Sequence, residues 1–373
     1  MKKRLLSWVM VLVLCLALLP VEALAADTVA SGTCGDNLTW TLDDNGVLTI
    51  SGMGKMYDYR LTTRTSTLSP WFSYSSNIES VVIESGVTSI GACAFHVHTN
   101  MTQVTIPDTV TSIGNAAFDN CSKLTHVAIP DGVTSIGESA FLACGSLERI
   151  TIPKGVTSIE RETFGVCKAL KSVTIPNTVT SIGEYAFNAC ESLANVTIPD
   201  SVTSLGEGAF YQCTALTGIT IPKSVTDIGS VALSGCTSMT SILVDADNPA
   251  YTSQDGVLFS KDLATLVQFP CGKAAESYVI PNGVTIGTDA FVYCVGLKNV
   301  TLPDSMTAIG EYMFSCCSNL LSVTIPDSVT SIEYEAFHAC TSLTDVYYGG
   351  TESGWRTVAI RYGNDAISRA AIH

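Results

Sequence analysis

Residues 196–213 read VTIPDSVTSLGEGAFYQC, and close copies of this stretch end at Cys121, Cys190 and Cys340. The copies follow one another with a fixed period. Six cysteines stand 23 residues apart, and the phase resumes for three more: Cys121, Cys144, Cys167, Cys190, Cys213, Cys236, Cys294, Cys317 and Cys340. A period of this length indicates a stack of similar structural units, and it decides the fold before any other pattern in the sequence.

A second column of identical residues accompanies the cysteines. The residue three positions before each cysteine is a phenylalanine in every copy except the one at Leu233. An earlier copy has Phe95, with His98 in the cysteine position, which brings the recognisable units to ten.

The first half of a unit has the pattern of a β-strand. Val196 and Ile198 alternate with polar neighbours, as expected for a strand that buries one face. Pro199 has no N–H to give to a β-ladder, so it ends the strand, and Asp200 after it favours a turn.

The second half of a unit is expected to turn back towards the core. Val202 and Leu205 are three residues apart, so this stretch is predicted to bend instead of running as a flat strand. Gly206 permits a corner. A short helical turn is then expected to point three side chains inward, Ala209, Phe210 and Cys213.

A single unit is too small to bury its apolar side chains, so neighbouring units have to cover one another. Stacking adds backbone hydrogen bonds between parallel strands and advances the chain by about 5 Å per unit. The sequence therefore predicts a repeat solenoid.

The L-x-x-V-x-I core, the 23-residue length and the proline after the strand resemble leucine-rich repeats, and more narrowly the bacterial BspA-like subfamily. The resemblance spans roughly residues 78–346. It implies a right-handed superhelix with a parallel β-sheet on its concave face, short turns or helical segments on the convex side, and a β-rich N-terminal cap. It also implies a secreted or cell-surface bacterial protein, and some members of the family are adhesins that bind host matrix proteins.

The N-terminus has the pattern of a secretory signal peptide. A basic start, Met1 to Arg4, precedes an apolar run, and the small residues Ala23 and Ala25 flank a cleavage site after Ala25. Removal of this segment loses three cations and one anion, which takes the net charge from −15 to −17. A chain this acidic repels phosphate backbones, which excludes nucleic acid as a partner. No membrane insertion of the mature chain is expected.

Residues 32–52 hold two alternating runs joined by an acidic pair and Asn45-Gly46, which predicts a β-hairpin turn. The acids lack the spacing of known calcium loops. The predicted organisation is a signal peptide (1–25), an N-terminal β-rich cap (26–77), about seven repeats (78–245), a lengthened repeat with a β-hairpin insert (246–280), three further repeats (281–346) and a C-terminal cap (347–373).

The insert separates Cys236 from Cys294 by 58 residues. Residues 257–259 and 266–269 are predicted to form the two strands of its hairpin. Such an insert projects from one face and binds a partner, or it is a spacer that adjusts the curvature. The sequence leaves both interpretations open.

Thirteen cysteines remain in the mature chain, and nine of them belong to the repeating column. Stacked cysteines about 5 Å apart are too distant for disulfides, so they are predicted to be buried thiols that fill the core. Four others lie outside the pattern, Cys34, Cys93, Cys271 and Cys316. A bridge between Cys34 and Cys93 is one alternative for the first two.

The sequence has no motif for catalysis or cofactor binding. The His96-Val97-His98 fragment lacks a partner motif for zinc, and no nucleophile elbow, phosphate loop or His-paired nucleophile is present. The prediction is a protein without enzyme activity, cofactor or metal.

The strand pattern identifies the side chains of the concave face. One outward column varies and is the predicted source of specificity, and the next column is mostly threonine. The candidate protein-binding residues are Gln103, His126, Arg149, Asn195 and Asn299 in the varied column, Thr151, Thr174 and Thr197 in the threonine column, and Tyr251 and Lys261 in the insert.

Two functions fit these features. The first is a secreted or cell-surface recognition module that binds a protein ligand, with host surface or matrix proteins as the expected class. The second is a structural scaffold or spacer of the cell surface with no single ligand. The oligomeric state is open.

Overall fold

The computed structural model describes residues 26–60 and 68–373. The predicted signal peptide lies outside the described residues. Within the described part of the chain, no helix has the length and apolar character needed to cross a membrane.

The described chain begins with three antiparallel strands, β1 (Thr28–Gly35), β2 (Leu38–Asp43) and β3 (Val47–Gly52). The hairpin predicted between β2 and β3 is confirmed. The Asp43 carboxylate accepts hydrogen bonds from the amides of Asn45 (3.0 Å) and Val47 (2.8 Å), so this acid stabilises the turn.

The strands that follow are short. Up to the insert they are β4 (Gly54–Lys55), β5 (Ser80–Ile83), β6 (Val87–Ile90), β7 (Gln103–Thr105), β8 (Ser112–Ile113), β9 (His126–Val127), β10 (Ser135–Ile136), β11 (Arg149–Thr151), β12 (Ser158–Ile159), β13 (Ser172–Thr174), β14 (Ser181–Ile182), β15 (Ser204–Leu205), β16 (Gly218–Ile221), β17 (Asp227–Ile228) and β18 (Ser241–Val244).

The insert and the C-terminal part contribute β19 (Tyr251–Gln254), β20 (Val257–Ser260), β21 (Thr265–Gln268), β22 (Tyr278–Val279), β23 (Thr285–Ile286), β24 (Asn299–Thr301), β25 (Ala308–Ile309), β26 (Ser322–Ile325), β27 (Ser331–Ile332), β28 (Asp345–Tyr348), β29 (Ala359–Ile360) and β30 (Ala371–Ile372). The helices are a 3₁₀ turn at Phe72–Tyr74, α1 (Glu352–Trp355) and α2 (Asp365–Arg369).

These elements build a parallel β-solenoid of about 13 turns, and the predicted fold class is confirmed. Most units add one strand to each of two sheets. In the first sheet, Arg149 of β11 pairs with Ser172 of β13, and in the second, Ser158 pairs with Ser181. Both pairs are 23 residues apart, so the sequence period is the register of the stack.

Two local predictions about the strands need correction. Residues 204 and 205 form the short strand β15 of the second sheet, where only a bend was expected. Conversely, Asn195 to Thr197 form no strand, although Val196 and Ile198 alternate as strand residues do. The first sheet is interrupted between β13 and β16, because this segment pairs with neither neighbour, and also between β9 and β11, which do not pair with each other.

The corner that runs from Gly114 to Cys121 is a series of turns, so the short helix expected there is not formed. The amides of Ala116, Phe118 and Asn120 donate to carbonyls of the next unit at 2.7–2.8 Å, and the amides between them close turns within the unit. Ala116 and Asn120 have φ of 51° and 58°, the left-handed region that a right-handed helix excludes. Corner amides therefore bind neighbouring units together instead of building a helix.

The phenylalanine column forms a continuous stack inside the solenoid. Consecutive rings from Phe95 to Phe210 lie 5.2–5.6 Å apart and close to parallel. Trp71 extends the column at its N-terminal end, with its ring 5.6 Å from that of Phe95. The stack stops at Leu233, as the sequence predicts, and a second stack begins at Phe269.

The column cysteines do more than fill space. Each buried thiol donates a hydrogen bond to a phenylalanine carbonyl of the preceding unit, as Cys167 does to Phe141 at 3.2 Å. Burial raises the pKa of Cys167 to about 12, so the thiol stays protonated and able to donate.

The assignment of Cys271 outside the column is wrong. Its buried thiol lies next to that of Cys294 in the column, although it donates to the Val292 carbonyl of the following unit at 3.4 Å and not to a phenylalanine of the preceding one. The place of Cys271 in the column could not be recognised from the sequence, because the residues before it do not have the usual spacing. Cys34 is a buried free thiol, so it forms no bridge with Cys93.

The insert divides the interior into two cores. Its three strands are antiparallel, with β20 in the middle, and β21 then joins the second sheet through β23. Leu258 of β20 packs with the N-terminal core, whereas its neighbours Val257 and Phe259 pack with the C-terminal core. The central strand of the insert is therefore an internal wall of the solenoid.

We predict that Cys167→Ala destabilises the protein by about 1–2 kcal/mol, because it removes a buried sulfur and leaves the Phe141 carbonyl without this donor. The midpoint of urea unfolding measures the change. Cys316→Ala, at a partly exposed cysteine outside the column, is the matched control and should change the free energy of unfolding by less than about 0.5 kcal/mol. Equal shifts in the two variants would contradict a structural role for the column thiols.

Candidate functional site

The first sheet presents a row of exposed side chains, which we call the strand face. Gln103, His126 and Arg149 begin three successive strands and are all exposed. Gln103 pairs in register with His126. An amide, an imidazole and a guanidinium thus follow one another along the face. The residue after each of them in the sequence is buried and separates this column from the threonine column.

The other candidate residues of the first sheet are spread more widely. Thr151 and Thr174 are exposed and paired in register on β11 and β13. Asn195 and Thr197 are exposed on the segment that forms no strand. Asn299 belongs to the C-terminal sheet, where its carbonyl oxygen accepts from the Ser322 hydroxyl at 2.7 Å and its amide donates to the Glu276 carbonyl.

The two candidates in the insert have structural contacts. The Tyr251 hydroxyl accepts a hydrogen bond from the Ile228 amide at 3.1 Å, where a continuing second sheet would otherwise supply an acceptor. The Lys261 ammonium group donates to the Ala246 carbonyl at 3.1 Å. These contacts hold the insert against the repeats, and the binding roles of Tyr251 and Lys261 stay predictions.

A second surface feature was missed in the sequence. Cys271 follows Leu266 by five residues, whereas Cys294 follows Ile286, its equivalent in the next unit, by eight. The corner of the lengthened unit is therefore three residues short. A cavity opens where those residues would lie, between the corners of the units on either side.

We call this cavity the corner cleft. Its outer part has a volume of about 590 Å³, within the range typical of ligand sites, and an inner part of about 220 Å³ adjoins it. The outer part is lined by Tyr185, Glu207, Tyr211, Ser230, Val231, Asp289, Val292, Tyr293, Tyr312, Ser315, Cys316 and His338.

The tyrosines of the corner cleft are held in place by neighbouring side chains. The rings of Tyr211 and Tyr293 lie 6.2 Å apart at 69°. The Gln212 amide donates to both hydroxyls, at 3.4 and 3.3 Å. Burial is the main cause that raises the pKa of Tyr211, so its hydroxyl stays protonated.

A glycine makes room for a further ring of the cleft. Gly208 has φ +58°, and a Cβ there would lie 2.3 Å from the ring of Tyr185. The Tyr185 hydroxyl donates to the Glu207 carboxylate, and this bond raises the pKa of Tyr185 to about 12. The ring and the carboxylate therefore orient each other.

The inner part of the cleft has a polar side chain in its lining. Gln268 is 4% exposed, and its amide donates to the carbonyls of Phe269 (2.9 Å) and Ala290 (3.1 Å). Its carbonyl oxygen accepts from the buried Ser234 hydroxyl at 3.1 Å. This side chain ties the shortened corner to the next unit, where a full corner would use backbone amides.

The repeat geometry agrees with comparisons to known proteins. The sequence model of the BspA type leucine rich repeat region matches residues 67–175, 157–266 and 268–353. The chain belongs to the BspA-type leucine-rich-repeat family.

Solved structures resemble this BspA-type protein along most of its length. A leucine rich cell surface protein from Faecalibacterium prausnitzii A2-165 is 29% identical, and the alignment covers 90% of this chain and 99% of that one with a TM-score of 0.55. The pneumococcal vaccine antigen PcpA is 18% identical, with 86% and 82% of the two chains covered and a TM-score of 0.53, which shows the fold alone. No curated protein matches the sequence.

Metal-binding chemistry finds no support in the described ranges 26–60 and 68–373. They contain no group of three or more His, Cys, Asp or Glu residues able to hold a metal ion. His98 lies buried beside Cys121, as expected for the residue that opens the cysteine column, and burial lowers its pKa to about 4. This histidine is therefore a neutral core residue.

Gln268→Ala is predicted to destabilise the BspA-type protein by about 2 kcal/mol, because three hydrogen bonds and a packed buried side chain are lost. Thermal unfolding followed by circular dichroism measures the effect. The control Gln254→Ala removes an exposed glutamine of the same insert and should leave the midpoint within about 1 °C. A Gln268→Ala variant as stable as this control would show that the side chain does not hold the shortened corner.

Proposed function

We propose that this BspA-type protein is secreted or displayed on the bacterial surface and binds another protein through the strand face. The observation that carries the proposal is the exposed row of Gln103, His126 and Arg149, which begin three successive strands. Gln103 and His126 are paired in register, and together with Arg149 on the following strand they offer a partner donors, an acceptor and a positive charge. A solenoid presents such a row over a wide surface, so the partner we expect is a protein rather than a small molecule.

The extracellular location rests on separate support. The sequence begins with the predicted signal peptide, and the Faecalibacterium relative is described as a cell surface protein. Host surface or matrix proteins are the partner class that we propose, which makes the protein an adhesin. No enzyme activity forms part of the proposal.

The strand face contrasts locally with the acidity of the whole chain. Arg149 and His126 lie on adjacent strands, in a protein whose net charge is −15. Arginine at the centre of an interface contributes strongly to affinity when it is buried by the partner. A partner with an acidic surface patch therefore fits this part of the face.

We predict that the double substitution H126A/R149A weakens partner binding at least tenfold, since about 1.4 kcal/mol of lost contact energy has that effect. Mature protein (residues 26–373) would be immobilised and tested by surface plasmon resonance against a panel of host matrix proteins and mucins. Lys154→Ala removes an exposed cation just beyond the strand and serves as the matched control, with unchanged affinity.

Deletion of residues 246–280 is unsuitable for this test because Val257, Leu258 and Phe259 are core residues. Saturable binding that survives H126A/R149A would move the site away from this part of the strand face. Absence of binding to the panel, together with concentration-dependent self-association in the ultracentrifuge, would contradict recognition and support the structural scaffold.

A further inference from the structure

The corner cleft concentrates negative charge. The carboxylates of Glu207 and Asp289 both line it, and the side chain of Asp289 is only partly exposed. Burial and the Glu207 charge raise the pKa of Asp289, so the two acids repel each other across the cavity. A cation placed between them would relieve this repulsion.

The lining holds no permanent positive charge to satisfy these acids. His338 is its one basic side chain, and no lysine or arginine is among the described residues that line the outer cleft. The charge of Arg161 lowers the pKa of Tyr185 slightly against the other influences, so this cation is near the cleft. Its guanidinium is already paired with Glu162 at 3.2 Å and Glu184 at 3.9 Å. The cleft therefore keeps an unbalanced negative potential, which low-dielectric walls focus.

Four tyrosine rings surround the same space, Tyr185, Tyr211, Tyr293 and Tyr312. The face of an aromatic ring attracts ammonium and guanidinium groups through its quadrupole. The Gln212 amide fixes the hydroxyls of Tyr211 and Tyr293, and Gly208 leaves space for Tyr185. Because these rings are already in place, little ordering is needed on binding.

Other ligand classes fit the cleft less well. The carboxylates repel an anionic ligand. The near-perpendicular rings of Tyr211 and Tyr293 offer no flat platform for a sugar ring. An aliphatic ligand would displace water from the carboxylates of Glu207 and Asp289 and offer them neither a charge nor a hydrogen-bond donor. The combination of rings and carboxylates is matched by an organic cation.

We propose that the corner cleft binds the cationic group of an arginine or lysine side chain presented by a partner protein. The cation lies between the carboxylates of Glu207 and Asp289 and contacts the faces of the tyrosine rings. This site is separate from the strand face and goes beyond the function proposed above. A chain that binds the strand face with acidic residues and this cleft with a basic one is anchored at two chemically opposite points.

The test uses isothermal titration calorimetry at pH 7 and low salt, with the mature protein and the capped peptide Ac-Gly-Arg-Gly-NH₂. We expect weak saturable binding that is lost when citrulline replaces the arginine, because citrulline has the same shape without the charge. The corresponding lysine peptide should bind as well. Addition of 0.5 M NaCl should weaken both interactions, since salt screens the partly exposed carboxylates.

The decisive variant is E207Q/D289N, which keeps the shape of the cleft and removes both charges. It should weaken binding of the arginine peptide at least tenfold. Glu138→Gln is the matched control, because Glu138 occupies the same position of the repeat three units earlier, is exposed, and lies outside the cleft. Its affinity should equal that of the unmodified protein. Tyr312→Ala, at a 40% exposed position, tests the rings without altering the core.

Several outcomes would overturn the proposal. They are equal binding of the citrulline peptide, unchanged affinity of a folded E207Q/D289N variant, and no binding of either basic peptide. Binding of choline chloride without binding of the peptides would assign the cleft to a small free cation. Binding of maltose or another neutral sugar instead would assign it to carbohydrate.

The two proposed sites fail independently. H126A/R149A should bind the arginine peptide normally, because both substitutions lie on the first sheet, far along the chain from the cleft lining. Loss of partner binding in H126A/R149A with no peptide binding at all would leave the strand-face function intact and reject the cleft. Peptide binding without any protein partner in the panel would have the opposite meaning.

Discussion

Register between consecutive corners is the constraint on which the rest of the structure depends. Each unit has to place its phenylalanine over the previous ring, its thiol under the previous carbonyl and its alternate corner amides opposite the next unit. All three contacts require the same 23-residue spacing. A unit that shifted by one residue would lose its ring stacking, its thiol hydrogen bond and its strand pairing together.

The surface follows from this constraint. Since the inward positions are fixed, only outward positions are free to vary, and Gln103, His126 and Arg149 occupy such positions. The corner cleft arises in the opposite way, from a unit that breaks the spacing. Its corner is three residues short, and the Gln268 side chain replaces part of the missing backbone bonding. The regular units thus present a broad face, and the irregular one opens a cavity.

Much of this structure is predictable from the sequence, because a repeated pattern states the same information about ten times. The period, the strand that follows most of the repeat leucines, the break at Leu233 and the N-terminal hairpin all come from local spacing. The second sheet and the series of corner turns were not predicted. A strand of two residues is too short to show an alternating pattern. The left-handed backbone at Ala116 and Asn120 could not be predicted, because the residue types at these corner positions do not indicate it.

The surface features were harder to predict for a different reason. Asn195 has the same local sequence as its equivalents, yet its segment forms no strand, since pairing depends on both neighbours. Cys271 and the corner cleft depend on how a shortened corner meets two complete ones. The interval between Leu266 and Cys271 was a usable indication of the gap. The tyrosines that surround it come from units as distant in sequence as Tyr185 and Tyr312.

Hydrogen–deuterium exchange of the corner amides, followed by mass spectrometry, tests the central claim most directly. If corners bind consecutive units together, peptides covering residues 114–121 and the equivalent corners should be protected as strongly as the strands of the first sheet. Residues 193–199, which form no strand, should exchange faster than the corners on either side. Rapid exchange at the corners, with protection confined to the strands, would contradict the account.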